Sequence, residues 1–246
     1  MLHKTRGIVL RTVKYGETSV IVTMYAELFG LQSCLVNGVR TSSRKGPGKA
    51  NLFQPAAILD LVVYRNELKN LQRIREFKWA HIYQDIYFDV IKNAVALFMV
   101  ELLQKCLKQP ESNAELYQFI EDAFIHLDAA TPKIVGNFPL YFILHLAGFF
   151  GFRIQDEYRT DRNYLDLKEG TFIREKPAHP YFLEGSQSFA SSQLLKIMQP
   201  EELVHLDLNQ DIRRNLLQAF QQFYALHVPD FGTMKTFPVL QTILSE

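Results

Sequence analysis

Only two cysteines, Cys34 and Cys106, occur in 246 residues, and neither has a partner at CxxC spacing. That scarcity argues against a disulfide framework and a cysteine-built metal knuckle. Both thiols sit among apolar neighbours and are expected to be buried and reduced, which suits a cytoplasmic chain. Catalytic signatures are missing as well: there is no HExxH, no GxSxG, no glycine-rich dinucleotide turn and no acid pair at a telling spacing. The seven histidines are scattered. His126 and His145 lie on otherwise apolar helical stretches, where a hydrogen-bonded core histidine is the ordinary role. Glu121-Asp122 and Glu201-Glu202 read as solvated helix faces. The opening MLHKTRGIVLRTVKYGE contains no apolar stretch of signal-peptide length. The most apolar run, FPLYFILHLAGFFGF at 138–152, is too short to span a bilayer and reads as a buried helix. No catalytic residue, metal, cofactor or membrane partner is expected, and no enzymatic activity.

What is present is an ordinary globular balance, 48% apolar and 22% charged, enough for a sizeable core. The net charge of +1 conceals an asymmetry. Residues 1–80 hold 13 Lys+Arg against 5 Asp+Glu, a net of +8, and the remainder holds 14 against 21, a net of −7. A basic module joined to an acidic one points to a polyanion partner for the first.

The two parts also differ in period. RGIVLRTVK (6–14), TSVIVTMYA (18–26), LQSCLVNGV (31–39), AAILDLVVYR (56–65) and LKNLQRIREF (68–77) are short, β-branched or alternating runs separated by turn residues. Five such strands suggest a small closed β-barrel over residues 1–80. From residue 81 the spacing is helical: 93–108 is ended by Pro110, 114–128 is capped by Ser112 or Asn113, and a third helix opens at Thr131-Pro132. A polar, turn-rich insert at about 156–185 carries a hairpin around Lys168-Glu169-Gly170. Helical spacing returns at SSQLLKIMQ and at DIRRNLLQAFQQFYALHV, which Pro229 stops. The expected fold class is α+β, a five-stranded OB-type barrel followed by a helical domain with a β-hairpin insert.

Between the third and fourth strands lies VNGVRTSSRKGPGK (36–49), cationic, flexible and free of acids. It is not a P-loop, because Ser43 and Ala50 stand where Gly and Ser/Thr are required. Alone it could be a solvated turn. In a basic barrel it can grip a flexible phosphate backbone, with aromatics as stacking platforms for bases. The candidate DNA-binding residues are Arg6, Arg11, Lys14, Arg40, Arg44, Lys45, Lys49, Arg65, Arg73 and Arg75, and the candidate stackers Tyr15, Tyr25, Phe29, Phe53 and Tyr64. Alternatives stay open: a scaffold whose barrel binds an acidic protein, or a phosphate-handling enzyme.

GIVLRTVKYGETSVIVTMYAELFGLQSCLVNGVR, the basic loop, LFQPAAILDLVVYR and LKNLQRIREF together resemble the N-terminal OB-fold module of the RecO recombination-mediator family. LHLAGFFGF fits the helical part of that family, and the closing HVPDFGTMKTFPVLQTIL resembles the tail of its Bacteroides-group members. Many members hold a four-cysteine zinc module in the segment matching 156–185. Here DEYRTDRNYLDLKEGTFIREKPAHPYFLEG contains no cysteine, so no metal is expected there. The resemblance implies a non-catalytic, cytoplasmic, nucleoid-associated protein. It would bind single- and double-stranded DNA and anneal complementary strands. Its implied partners are RecR, the acidic Phe-ending C-terminal tail of single-strand-binding protein (SSB) and, indirectly, RecA.

Overall fold

The computed structural model describes residues 1–40 and 49–243. Its first elements are β1 (Leu2–Tyr15), β2 (Ser19–Ala26), β3 (Gly30–Val36), β4 (Ile58–Tyr64) and β5 (Leu71–Trp79). All five expected strands are therefore present. Alternation decides what each strand buries: Val20, Val22 and Met24 of β2, Cys34 and Val36 of β3, and Leu59, Leu61 and Val63 of β4 point into one core. The strands close in the order β1-β2-β3-β5-β4. Closure depends on a short parallel seam, Ser33↔Leu71, Cys34↔Gln72 and Leu35↔Arg73. β1 serves both flanks, pairing with β4 from Leu2 to Ile8 and with β2 from Gly7 to Tyr15, with a bulge between Val9 and Arg11.

The helices are α1 (Val90–Cys106), α2 (Ala114–Ala129), α3 (Pro132–Gly148), α4 (Gly185–Leu195), α5 (Gln210–His227) and α6 (Thr236–Ile243). Asn113 caps α2, its Oδ1 accepting from the Leu116 N–H at 2.9 Å, and Asn209 caps α5 through Ile212 N–H at 2.8 Å. The expected helix at SSQLLKIMQ begins six residues earlier, at Gly185, and ends at Leu195 before a 3-10 turn over Pro200–His205. α6 was not expected. Its first turn is capped from α1, where Glu101 accepts from the N–H groups of Lys235 and Thr236 and from the Thr236 hydroxyl at 2.6–2.8 Å. The insert holds β6 (Tyr164–Asp166), β7 (Thr171–Ile173) and β8 (Phe182–Leu183) in the order β7-β6-β8. Its hairpin turn is held by Asp166, whose Oδ1 accepts from Lys168 and Glu169 N–H and whose Oδ2 meets His179 Nε2 at 3.2 Å. No helix of the described residues is long and apolar enough to cross a membrane.

Two compact units emerge, residues 1–84 with 103–125, and residues 85–102 with 126–246. In the first, the stretch 103–125 covers the barrel: Tyr117 stacks on Tyr25 with ring centroids 6.3 Å apart, and Gln104 Nε2 donates to Leu10 O at 2.5 Å. Both cysteines are buried and unpaired, and burial pushes each thiol up to about 12, which makes them unreactive. In the second unit, α5 is pinned to α3 where Tyr224 Oη donates to Ile143 O at 2.7 Å. His126 Nδ1 meets Glu201 Oε1 at 2.6 Å, as a hydrogen-bonded histidine should. His145 departs from that expectation: its Nε2 is buried without a hydrogen-bond partner, and burial lowers its pKa against the opposing effect of a backbone bond with Ile197.

Gly30 shows how tightly the covering segment sits. It has φ +64°, and a Cβ there would lie 2.1 Å from the carbonyl oxygen of Glu111. Gly30→Ala is expected to cost at least about 2 kcal/mol, from left-handed strain plus the backbone clash. Urea unfolding measures it, and an unchanged midpoint would contradict the packing described.

Candidate nucleic-acid interface

The strand registers line up an outward row across the barrel: Val13↔Ile21, Ile21↔Leu35, Leu35↔Arg73 and Arg73↔Tyr64. A second row, two residues along, runs Arg11↔Thr23, Thr23↔Ser33 and Ser33↔Leu71. Neither row contains an acid. The five acids of residues 1–80 lie elsewhere. Glu17, Glu27 and Glu67 occupy turns, and Asp60 and Glu76 are on β4 and the far part of β5. Thus Arg11 and Arg73 flank a half-buried apolar and hydroxyl surface carried by β2 and β3.

The rim above this face holds the start of the basic loop. Arg40 N–H donates to Thr18 O at 3.0 Å and its Nη1 donates to Gly16 O at 2.9 Å, so Arg40 ties the β1–β2 turn to the loop stem. The returning stem is joined by Ala50 N–H to Val39 O at 3.1 Å, and Lys49 lies over the Phe77 ring at 5.9 Å. Lys14 and Tyr15 are exposed at the same turn. Arg44 and Lys45 fall outside the described residues.

Two clefts open on the barrel wall, and their charges differ. One, of about 580 Å³, is lined by Lys4, Arg6 and Lys78 but also by Glu27, Asp60 and Glu76. The other, of about 980 Å³, lies between the chain start and the β4–β5 turn. It is lined by Met1, Leu35, Tyr64, Arg65, Asn66, Lys69, Asn70, Leu71, Gln72 and Arg73, with no acid. An anion is repelled from part of the first cleft, while the second offers it Lys69 and Arg73, with Arg65 shared with the exposed Glu67 of the turn.

Arg6 belongs to the first cleft. Its guanidinium meets Glu121 Oε2 at 3.1 Å and Asp60 Oδ1 at 3.6 Å. Glu121, read from sequence as a solvated helix face, is in fact buried at 5% exposure and also accepts from Tyr117 Oη at 3.3 Å. It lies on the stripe of α2 that faces the barrel, four residues after Tyr117, and a buried carboxylate there requires a cationic partner. Its charge raises Arg6 above the usual guanidinium value, and Tyr117 is pushed up mainly by burial, with the Glu121 charge adding to it. Arg75 is exposed in the β5 bulge and pairs with Glu76 at 3.3 Å.

Of the candidate stackers, Tyr25 and Phe53 are buried, and Phe29 is half-buried between His3 and the Arg65 guanidinium at 4.6 Å. Tyr15 and Tyr64 remain open, at 53% and 47% exposure. The sequence reading missed Gln72, a buried amide at an inward position of β5; a polar residue preceding Ile74 in the buried register was the available signal. Among the described residues no cluster of three or more His, Cys, Asp or Glu could hold a metal ion.

A closed five-stranded barrel in this strand order is an OB-type barrel, a class that binds oligonucleotides and oligosaccharides through its β2–β3 face and flanking loops. Residues 1–83 match the family described as Recombination protein O N terminal, and residues 87–235 match Recombination protein O C terminal. The similarity to curated relatives is end to end. The DNA repair protein RecO of Bacteroides fragilis is 34% identical over 247 residues, 99% of each chain. That of Phocaeicola vulgatus is 31% identical over 246 residues, 100% of each chain, and that of Christiangramia forsetii 31% over 248 residues, 99% of each. The chain belongs to the RecO family.

Glu121→Ala would strip Arg6 and Tyr117 of their shared acceptor. Because Arg6 is half exposed, the expected loss is about 1–2 kcal/mol, measured by urea unfolding. A variant as stable as the parent would remove the pair from the structural account.

Proposed function

We propose that the chain acts in DNA repair as a non-catalytic recombination mediator. It binds single- and double-stranded DNA through the barrel, anneals complementary strands and helps load RecA onto SSB-coated DNA. RecR and the acidic SSB tail are its protein partners, and the cytoplasm, at the nucleoid, is where it works. The observation that carries the DNA-binding core of this reading is the sorting of charge on the barrel. The outward rows of its β2–β3 face carry cations with no acid among them, whereas three of the five acids, Glu27, Asp60 and Glu76, line the other cleft and Glu17 and Glu67 lie in exposed turns. The names of the full-length relatives support the repair context.

On this reading phosphates are neutralised by Arg11, Arg73, Lys14 and the loop cations Arg40, Arg44, Lys45 and Lys49, with Arg65 at the second cleft. Arg40 also fixes the loop stem. Arg6, Arg65 and Arg75 each already face a carboxylate, so their share in neutralising phosphates is the smaller one. Such binding is strongly salt-dependent and weakly sequence-selective, since the contacts are to phosphates.

Changing Arg44, Lys45 and Lys49 together to alanine is expected to weaken binding of a labelled single-stranded oligonucleotide. The slope of log K against log salt should fall by about 2, at roughly 0.7 per phosphate contact. Fluorescence anisotropy reads both quantities, and an unchanged affinity and slope would take the loop out of the interface. For the mediator role, a peptide with the SSB-tail chemistry should bind only with its terminal Phe present. Binding of neither form, by isothermal calorimetry, would refute that partner.

A further inference from the structure

We propose that the cation-lined cleft beside the β4–β5 turn is a preorganised site for a single nucleic-acid strand, and that the buried Gln72 amide is its positioning residue. The proposal rests on the DNA-binding reading above and adds a place and a device to it.

The β4–β5 turn, residues 65–70, is solvent-exposed and rich in polar residues, so nothing in its own burial would hold its cations in one arrangement. Gln72 does so from beneath. It is 5% exposed, and its side chain is spent entirely on the turn. Its Oε1 accepts from Asn66 N–H at 2.8 Å, while its Nε2 donates to Asn66 O at 3.0 Å and to Lys69 O. Asn66 adds a second lock, its Oδ1 accepting from Leu68 N–H at 3.0 Å. The chain start closes the other side, the Met1 ammonium donating to Arg65 O at 3.0 Å.

The result is a cleft in which Lys69 and Arg73 face no carboxylate among the described residues. Arg65 is oriented by the Phe29 ring and by an exposed Glu67. Cations carried on a main chain that is already fixed bind phosphates without the entropic cost of ordering that turn at the moment of contact. Tyr64, nearly half exposed and in register with Arg73, offers a flat ring in the same cleft. An unpaired base can stack on such a ring, whereas a base inside a duplex is already stacked, so the cleft favours single strands.

The test uses the full chain with a labelled oligothymidylate and a duplex of equal length, read by anisotropy across a salt series. Lys69→Ala combined with Arg73→Ala is expected to weaken single-strand binding about ten-fold and to lower the salt slope by about 1.4, two contacts at about 0.7 each. Gln72→Met leaves every charge in place yet is expected to weaken single-strand binding at least three-fold and to lower the slope. Tyr64→Ala should weaken single-strand binding more than duplex binding, and Tyr64→Phe should restore it. If the double variant binds like the parent while the basic-loop variants are weakened, the cleft is not the site and the DNA-binding reading stands. If neither set is weakened, that reading falls as well. If the double variant is weakened but Gln72→Met and Asn66→Ala both keep the parent's affinity and slope, Gln72 has no positioning role. Should Gln72→Met fail to fold by circular dichroism, the exposed Asn66→Ala decides that point alone.

Discussion

Everything on the barrel surface depends on one short seam, the parallel pairing of β3 with β5. Parallel pairing is the weaker kind, and only three residue pairs carry it. Without it the sheet would present two open edges, and Arg73 would not lie beside Leu35. With it, the outward rows of β1, β2, β3 and β5 become one continuous surface, and the inward residues share one core. Gln72 sits in the middle of the seam opposite Cys34, so the residue that completes closure also fixes the turn that follows β4.

The second organising constraint is electrostatic. Thirteen cations and five acids share residues 1–80, and the fold keeps them from cancelling everywhere alike. Asp60, Glu76 and Glu27 gather with Arg6, Lys4 and Lys78 in one cleft, where Arg6 reaches the buried Glu121 of α2. On the other side Arg11, Lys69 and Arg73 make no ion pair among the described residues. A polyanion approaching the barrel thus meets a surface already sorted, even though the whole chain is nearly neutral.

Much of this was legible in the sequence, for physical reasons that particular residues make plain. The alternation of Val20, Val22 and Met24 against Ile21 and Thr23 is a local signal, and so were the other strand patterns, the Asn113 cap and the burial of both cysteines. What was not legible is what depends on distant partners. Glu121 looked solvated because its partner Arg6 lies 115 positions away. α6 escaped notice because an eight-residue helix with a proline has little intrinsic stability and takes its cap from Glu101, 135 positions earlier. Within the candidate interface, the cations were visible as composition, but their division between two clefts required the register of the closed barrel. Gln72 likewise reads as one polar residue in a strand until the turn folds over it.

The central claim is that the barrel grips the phosphate backbone with its sorted cations. The most direct measurement is the salt dependence of binding by the unaltered chain to single strands of several unrelated sequences. The account predicts a linear fall of log K with log salt, with a slope of roughly −3 or steeper and nearly equal for every sequence. Binding that is insensitive to salt, or that appears for one sequence alone, would contradict it.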